Sequence, residues 1–327
     1  MMRAAVVLLV AGLAAVPGGC TDGGASSVAD RPSASAPSST LPTTRGSESP
    51  ETPEPTEPMR HHPGPLRVGI ALRAVDHLAR AIGPRHATSP AYARATRWLS
   101  AELRRAGYDV RLQRFPVPGG DSWGVPVAAG RSANVIATPP GFRPRRPHLI
   151  LGAHLDTVPQ SPGAEDDASG IGVLLMVADA LSGTTSAARL PVVLVGFGAE
   201  EPRGPTDADH HYGSRAYVAA LSPAERRAVR GMVAMDRVGV GHVVPVCTAG
   251  DDAARAEVLR AGRRAGVPMQ ACDNRSSDHW SFVQEGMPGV RVGGTSYAGY
   301  HSPSDLPGVV DPAQLRRTAR LVLAWLR

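Results

Sequence analysis

Apolar residues recur along most of this chain in two alternating patterns. Residues 66–82 carry apolar side chains about every fourth position, a spacing that predicts an amphipathic helix. Residues 148–153 (HLILGA) and 191–198 (PVVLVGFG) are nearly continuous apolar runs instead, as expected of strands that are covered on both faces. Helical and strand patterns follow one another to the C-terminus, which indicates an α/β arrangement.

The same pattern places the boundaries of the other elements. Ser89 is a suitable N-cap, Pro90 suits the first helical position and Gly107 ends the helix, which predicts a helix over 90–106. Further helices are predicted at 170–181, 212–220, 223–229, 251–265, 280–285 and 312–326. Further strands are predicted at 108–117, 133–138, 231–235, 242–246, 268–271 and 289–292. We therefore expect one α/β domain over 66–327, in which a mostly parallel mixed sheet is sandwiched by helices and the chemistry lies at the carboxyl ends of the strands.

The segment before this domain has a composition that does not suit a packed core. Residues 1–20 combine Arg3, an apolar stretch too short to span a bilayer and small residues before Cys20, which is typical of a lipoprotein signal with Cys20 as the lipidated residue. An ordinary secretory signal is the alternative. Residues 21–65 are rich in Ser, Thr, Pro and Gly and predict a disordered tether. Either signal places the mature chain outside the cytoplasm, as a cell-membrane lipoprotein or a secreted protein.

Charge and cysteine content narrow the class of protein further. The net charge is +6, but all 35 basic residues are arginines without a basic stripe, so nucleic-acid binding is not expected. Cys247 and Cys272 lie near the ends of predicted strands that one helix joins. Strands connected in this way are commonly neighbours, so we predict a disulfide, with two unpaired thiols as the alternative. We expect a monomer that meets a membrane only through a lipid anchor.

Residue types that bind metals follow the buried strands directly. His154 follows the first apolar run, Glu200 and Glu201 follow the second, and Asp236 follows the strand predicted at 231–235. A GAEDDASG segment lies between the first two, and a Tyr-His pair lies near the C-terminus. Each feature alone has an ordinary structural explanation, but their joint occurrence after buried strands points to a site. Imidazoles and carboxylates suit zinc, and two zinc ions need about five side chains and a shared water.

The motifs HxD, GAxDDASG, AEE, MD, SDH and YH occur in this order over residues 133–305. As a set they resemble the di-zinc aminopeptidases typified by the secreted bacterial leucyl aminopeptidases, metallopeptidase family 28. The resemblance covers most of the predicted domain. It implies the fold of the zinc exopeptidases, two Zn²⁺ ions per chain and peptide substrates with a free amino terminus.

The resemblance also implies a role for each motif residue. The implied ligands are His154 and Asp236 for one zinc, Glu201 and His301 for the other, and Asp166 as the bridge between them. The implied catalytic residues are Glu200, as general acid and base, and Tyr300, which helps to stabilise the oxyanion. The implied supporting residues are Asp156, which accepts the remaining N–H of His154, and Asp167 and Asp278. The peptide bond between Asp166 and Asp167 is expected to be cis.

Three other functions remain open at this point. A di-zinc carboxypeptidase or amidohydrolase shares the HxD and EE motifs, but such enzymes usually carry a lid domain, and only 34 residues separate Glu201 from Asp236. A glutaminyl-cyclase-like transferase uses the same fold with one zinc, and the full set of ligands argues against it. A binding domain without catalysis typically loses ligands, and none is missing here.

Two departures from the family pattern lie beside the motifs. Residues 202–212 form a longer loop than the family usually has after the EE pair. His210 and His211 fall in this loop, and we interpret them as loop residues, not as ligands of an extra metal. Glu165 stands where the family often has Asn or Asp, so it either raises the pKa of a neighbouring group or points to solvent.

Overall fold

The computed structural model describes residues 65–182 and 188–327. The predicted signal, Cys20 and almost all of the predicted tether lie outside the described residues. The described helices are α1 (Val68–Asp76), continued by a π-helical segment (His77–Ile82), α2 (Pro90–Arg105), α3 (Ser169–Leu181), α4 (Tyr212–Ala219), α5 (Pro223–Ala228), α6 (Asp252–Arg264), α7 (His279–Gln284) and α8 (Pro312–Leu326). The described strands are β1 (Asp109–Val117), β2 (Gly120–Ser122), β3 (Val125–Val127), β4 (Gly130–Thr138), β5 (His148–His154), β6 (Val192–Phe197), β7 (Val229–Met235), β8 (Val244–Thr248), β9 (Met269–Asp273) and β10 (Gly289–Val292).

Eight of the described strands form one mixed sheet in the order β1-β4-β6-β5-β7-β10-β8-β9. The four central strands β6, β5, β7 and β10 run parallel to one another, and β9 runs parallel to β8. Antiparallel pairs occur where β1 meets β4, where β4 meets β6 and where β10 meets β8. The predicted mixed, mostly parallel α/β sheet is thus confirmed.

Both faces of the sheet are covered, which explains the unbroken apolar runs. Leu149 and Leu151 of β5 pack into a core shared with α1, α2, α3, α6 and α8, whereas Ile150 packs on the opposite face with α4 and α7. Because successive side chains of a strand point to opposite faces, a strand covered on both faces needs apolar residues at every position. The predicted helix start at Ser89 is also present, since its side-chain oxygen accepts a hydrogen bond of 3.0 Å from the Tyr92 amide.

A short hairpin lies between the strands predicted at 108–117 and 133–138, where the pattern predicts no regular element. Strands β2 and β3 pair through Gly120 and Val127, and the turn between them is formed by Trp123 and Gly124 at φ values of 53° and 81°. Two positive φ values are the mark of the turns that match the twist of a hairpin. Each strand has three residues. Strands this short show no alternation, so periodicity does not detect them.

The outer strands carry a covalent link. Strands β8 and β9 are parallel neighbours, and Cys247 lies opposite Cys272 in their register. The two cysteines form a disulfide, as the sequence predicts. No helix in the ranges 65–182 and 188–327 is both long enough and apolar enough to cross a membrane.

Candidate metal centre

The predicted site residues meet because their strands are parallel neighbours. Strand β5 lies between β6 and β7, so the carboxyl ends of all three share one edge of the sheet. His154 is the last residue of β5, Glu200 and Glu201 come shortly after β6, and Asp236 comes directly after β7. All four side chains are buried, with at most 8% of any residue exposed. This edge is where ligands bind in open α/β sheets.

The bridging position is held by backbone geometry. Asp166 lies in a π-helical turn (Ala164–Ala168) before α3, and its peptide bond to Asp167 is cis, as the resemblance implies. The carboxylate of Asp305 accepts hydrogen bonds from the amides of Glu165 at 2.8 Å and Asp166 at 3.1 Å. Asp305 also accepts a 2.9 Å hydrogen bond from the hydroxyl of Tyr297. This buried carboxylate therefore fixes the segment that presents Asp166.

The five predicted ligands converge on two overlapping groups. Asp166 Oδ1 lies 2.9 Å from His154 Nε2, and Asp166 Oδ2 lies 3.1 Å from His301 Nε2. His301 Nε2 lies 3.3 Å from Glu201 Oε2. Ligand-type atoms of His154, Asp166 and Asp236 lie within 4.8 Å of one another, and so do those of Asp166, Glu201 and His301. Asp166 belongs to both groups, which is the position expected of a bridging carboxylate.

The electrostatics of the cluster favour a cation. Although burial opposes protonation of His301, the carboxylates of Glu201 and Asp166 raise its pKa to about 10. Although burial also opposes ionisation of Asp166, the imidazoles of His154 and His301 lower its pKa below the usual range. Burial raises the pKa of Glu201 to about 7. Several buried carboxylates at one point need compensating positive charge, which protons or a metal ion can provide.

The residues present fit zinc. Their donor set is imidazole nitrogen and carboxylate oxygen, both of which zinc prefers. Among the described residues, Glu201 Oε1 is buried without a hydrogen-bond partner. A buried carboxylate oxygen without a partner is costly in a folded protein unless an ion or water meets it. The unpaired oxygen therefore supports a metal ligand at Glu201.

Asp156 supports the site differently from the role that the resemblance implies. Its carboxylate accepts hydrogen bonds from the amides of Glu200 at 3.1 Å and Glu201 at 3.3 Å. Nδ1 of His154 lies 3.9 Å from that carboxylate but 3.1 Å from the backbone carbonyl of Asp156. A carbonyl oxygen only accepts, so Nδ1 carries the proton and leaves Nε2 free toward Asp166. The Asp156 carboxylate is occupied by the Glu200–Glu201 backbone and is not the acceptor for His154.

Glu165 and Asp167 tie the turn before α3 to the segment after β7. Asp167 accepts hydrogen bonds from the amides of Gly170 at 2.9 Å and Arg237 at 3.1 Å. Glu165 accepts from the amide of Gly239 at 2.9 Å, and burial raises the pKa of its carboxyl group to about 8. Glu165 is fully buried, so the alternative that it points to solvent is wrong.

His211 lies against the predicted general base. Its Nε2 is 3.2 Å from Glu200 Oε1, and its amide donates a 3.0 Å hydrogen bond to the Glu200 carbonyl. Although burial opposes ionisation, His154 and His211 lower the pKa of Glu200 to about 2. His211 was predicted as a loop residue, and it is one, but its contact with Glu200 depends on how the longer loop folds back. No sequence signal shows that contact.

Aromatic rings surround the mouth of the site. Tyr300 is 38% exposed and stacks on His301 with ring centres 3.7 Å apart. Trp123, at the tip of the β2–β3 hairpin, meets the His301 ring edge-on at 4.5 Å. Asp278 is buried deeper, and burial together with the nearby Glu200 carboxylate raises its pKa to about 7. Tyr300 therefore lies at the entrance, and Asp278 lies behind the general base.

Two arginines that the motifs do not include reach the same cluster. Arg291 of β10 is 3% exposed and donates a 3.0 Å hydrogen bond to Asp236 Oδ1. Arg237 follows Asp236 directly, and its Nε lies 3.6 Å from the same oxygen. The sequence does contain a signal for Arg291, which is a charged residue inside the apolar GVRV strand. A buried guanidinium needs an acidic partner, so this position indicates a carboxylate nearby.

A sheet edge that carries converging imidazoles and carboxylates defines the protein as a candidate metalloenzyme. Residues 134–326 match the model of Peptidase family M28, and the chain belongs to that family. A 130-residue segment is 31% identical to the uncharacterised protein YfbL of Escherichia coli strain K12 and covers 37% of each chain.

Solved structures share the fold at low sequence identity. BSAP, a zinc aminopeptidase from Bacillus subtilis, is similar with a TM-score of 0.69 and 18% identity, over 80% of this chain and 94% of that one. The aminopeptidase from Aneurinibacillus sp. strain AM-1 has a TM-score of 0.68 and 19% identity, over 80% and 93%. A glutaminyl cyclase from Bacteroides thetaiotaomicron has a TM-score of 0.67 and 19% identity, over 81% and 99%.

Proposed function

We propose that this protein is a zinc aminopeptidase that holds two zinc ions and removes residues from the free amino terminus of peptides. The observation that carries the proposal is the pair of ligand groups that share Asp166, next to the carboxylate of Glu200. His154 and Asp236 would hold one ion, Glu201 and His301 the other. When bound, the ions supply Lewis-acid activation of water and of the scissile carbonyl.

The protein residues supply the proton transfers and the orientation. Glu200 is not needed as a ligand in the two groups that share Asp166, so its carboxylate is free to take a proton from the attacking water and to pass it to the leaving amine. Asp156 fixes the backbone of Glu200 through the amide hydrogen bond, and His211 contacts its side chain. Tyr300, at the mouth, is placed to donate to the oxygen that becomes negative during the reaction.

The carboxylates also support recognition of the substrate's amine. Asp156 and Glu165 are engaged by backbone amides, so the remaining acidic groups near the ions are Asp166, Glu200, Glu201 and Asp236. An α-ammonium group finds acceptors among these oxygens, whereas a blocked amine does not. This preference for a charged amine would make the enzyme an exopeptidase.

The test combines metal content with cleavage. The purified mature protein, dialysed and reconstituted with zinc, should contain two equivalents by elemental analysis and should hydrolyse aminoacyl anilides. Removal of zinc with a chelator should abolish hydrolysis, and added zinc should restore it. One equivalent or fewer, with no hydrolysis of any anilide, would contradict the proposal.

Glutaminyl cyclisation is the second candidate, because a glutaminyl cyclase shares the fold nearly as well as the aminopeptidases do. A peptide with an N-terminal glutamine separates the two. Cyclisation releases ammonia and keeps the peptide length, whereas aminopeptidase action releases free glutamine. Mass spectrometry of the products distinguishes these outcomes.

We further propose that the protein is exported and anchored to the membrane through Cys20. The Cys247–Cys272 disulfide supports export, because such bonds persist in oxidising compartments. In the producing cell, the wild-type protein should incorporate labelled fatty acid and sediment with membranes. The Cys20→Ser variant should not incorporate the label, and a wild-type protein free of lipid in the medium would favour simple secretion.

A further inference from the structure

Arg237 occupies a position at the metal centre that its backbone holds firmly. The residue has a φ of 58°, in the left-handed region that is unfavourable for residues other than Gly, Asn or Asp. Its amide donates to Asp167 Oδ1 at 3.1 Å, and its carbonyl accepts from the Gly294 amide at 3.0 Å. An arginine is thus kept next to the metal ligand Asp236 in spite of a backbone conformation that does not suit it.

The guanidinium of Arg237 has hydrogen-bonding capacity that the protein leaves unused. Its side chain is 14% exposed, and its central carbon lies 4.4 Å from the centre of the Tyr300 ring. Among the described residues, its guanidinium nitrogens make no hydrogen bond, and the contact with Asp236 at 3.6 Å is an ion pair only. The group therefore presents donors to the same opening that Tyr300 lines.

Two other arginines near the site, both buried, differ in this respect. Arg291 donates to Asn274 Oδ1, to the Ser276 carbonyl and to Asp236. Arg85, which is fully buried, donates to carbonyl oxygens along the 155–163 segment at 2.7 to 3.0 Å. These two guanidinium groups hold loops and strands in place. Arg237 makes no such hydrogen bond, and its ion pair with Asp236 and its contact over the Tyr300 ring leave the guanidinium donors unused.

The chemistry of the free guanidinium indicates what binds there. Its planar set of donors matches a carboxylate, and such charge-assisted pairs are stronger than neutral hydrogen bonds. Once Asp166 and Asp236 serve as metal ligands, their negative charge is shared with the ions, and Arg237 adds net positive charge at the mouth. A substrate whose reacting amide lies at the ions would bring its adjoining groups to Tyr300 and Arg237.

We propose that Arg237 determines substrate specificity by binding a carboxylate of the peptide substrate. This inference rests on the proposed aminopeptidase function. Two parts of a peptide offer that carboxylate close to the scissile bond: the side chain of an N-terminal Glu or Asp, and the free carboxyl terminus of a dipeptide. The chemistry is the same for both, and matched substrates separate them.

The experiment compares ratios of kcat/KM within each protein. One ratio is glutamyl anilide over glutaminyl anilide, and the other is the dipeptide Leu-Gly over its amide Leu-Gly-NH2. We expect one of the two ratios to exceed about tenfold in the zinc-loaded wild type and to fall at least about tenfold in Arg237→Met, mainly through KM, because a lost charged hydrogen bond commonly has this effect. Arg237→Lys should retain part of the ratio.

Controls separate a loss of specificity from a loss of folding, of zinc or of the aminopeptidase function itself. Arg275→Met removes another arginine that lies over an aromatic ring, Trp280, and should leave both ratios unchanged. Zinc content and thermal melting establish that the Arg237 variants are folded and loaded. If the wild type cleaves leucyl anilide but neither ratio falls in Arg237→Met, the specificity role is wrong and the aminopeptidase function stands. If the loaded wild type cleaves no substrate at its amino terminus, the proposed function fails, and this inference fails with it.

Discussion

Backbone strain in this protein is concentrated at the metal centre. In the ranges 65–182 and 188–327, the non-glycine residues with positive φ have values between 51° and 58°: Trp123, Ala199, His211, Arg237 and His301. Four of them contact the site or its mouth, and Ala199 directly precedes Glu200. Each such conformation costs about 1 kcal/mol or more and persists only when its surroundings hold it. The fold therefore gives up stability at this edge to direct these side chains.

Glu200 is the residue whose replacement best separates catalysis from metal binding. Glu200→Gln should keep both zinc ions and the fold but lose at least about 100-fold in kcat, since general acid–base catalysis commonly contributes that much. His154→Ala should lose zinc as well, because it removes a ligand. Elemental analysis and steady-state kinetics on the same preparations test this, and turnover near that of the wild type in Glu200→Gln would remove the assigned role.

His211 should support the proton transfers of Glu200 without contacting the proposed metal ligands. His211→Ala removes the imidazole whose Nε2 lies 3.2 Å from Glu200 Oε1, and we expect kcat to fall about tenfold, because the ion pair that orients the Glu200 carboxylate is lost. Zinc content should not change. His210→Ala is the matched control from the same loop, and an equal effect of both substitutions would show that only the loop's integrity is involved.

The sequence identifies a site residue only when a pattern in the neighbouring residues of the chain marks its position. His154, Glu201 and Asp236 were predictable because each lies at the end of a buried strand or soon after it. Arg237 and His211 were not, because their contacts depend on loops that fold back over the sheet edge. Asp305 was not predicted either, because its hydrogen bonds to the 165–166 amides cross about half of the domain sequence and have no local pattern.

At the scale of elements, periodicity predicted strands and helices but not strand direction. A strand covered on both faces looks the same in sequence whether its neighbours are parallel or antiparallel. The antiparallel pairing of β1 with β4 and of β10 with β8 therefore had no sequence signal. The β2–β3 hairpin was not predicted for a different reason. Its strands have three residues each, which is too few to show the alternation that identifies a strand.

The disulfide joins β8 to β9 at the margin of the sheet and should stabilise it. The two cysteines are 25 residues apart, and closing a loop of this length in the unfolded chain contributes about 3 kcal/mol to the free energy of unfolding. Replacing both Cys247 and Cys272 by alanine should lower the urea midpoint accordingly. Reductant should destabilise the wild type and leave the double variant unaffected, and equal stability of the two proteins would contradict the prediction.

The whole molecule presents the metal centre as a cluster of acidic groups in a chain of net charge +6. The positive charge consists of arginines, and the two that reach the ligands, Arg237 and Arg291, both face Asp236. The acidic groups on the side of Glu200 and Glu201 have no arginine partner among the described ion pairs. The site is therefore polarised, with carboxylates that pair only with imidazoles on one side and a guanidinium with free donors on the other. A substrate with an ammonium group at one end and a carboxylate nearby matches that arrangement.

This polarity leads to the prediction on which the aminopeptidase assignment depends. A free peptide amine can be held by the carboxylates around the ions, whereas an acetylated amine has no charge and adds bulk where the amine would bind. A buried polar group that loses its partner costs about 1–3 kcal/mol, so we expect N-acetylated substrates to have a kcat/KM at least about tenfold lower. The measurement compares leucyl anilide with N-acetyl-leucyl anilide, and Glu200→Gln measured with the free substrate sets the background rate. Because both substrates share the same scissile bond and leaving group, any difference reports on the amine alone. Equal rates, or a preference for the acetylated substrate, would show that the carboxylates do not select the amine and would favour an amidohydrolase.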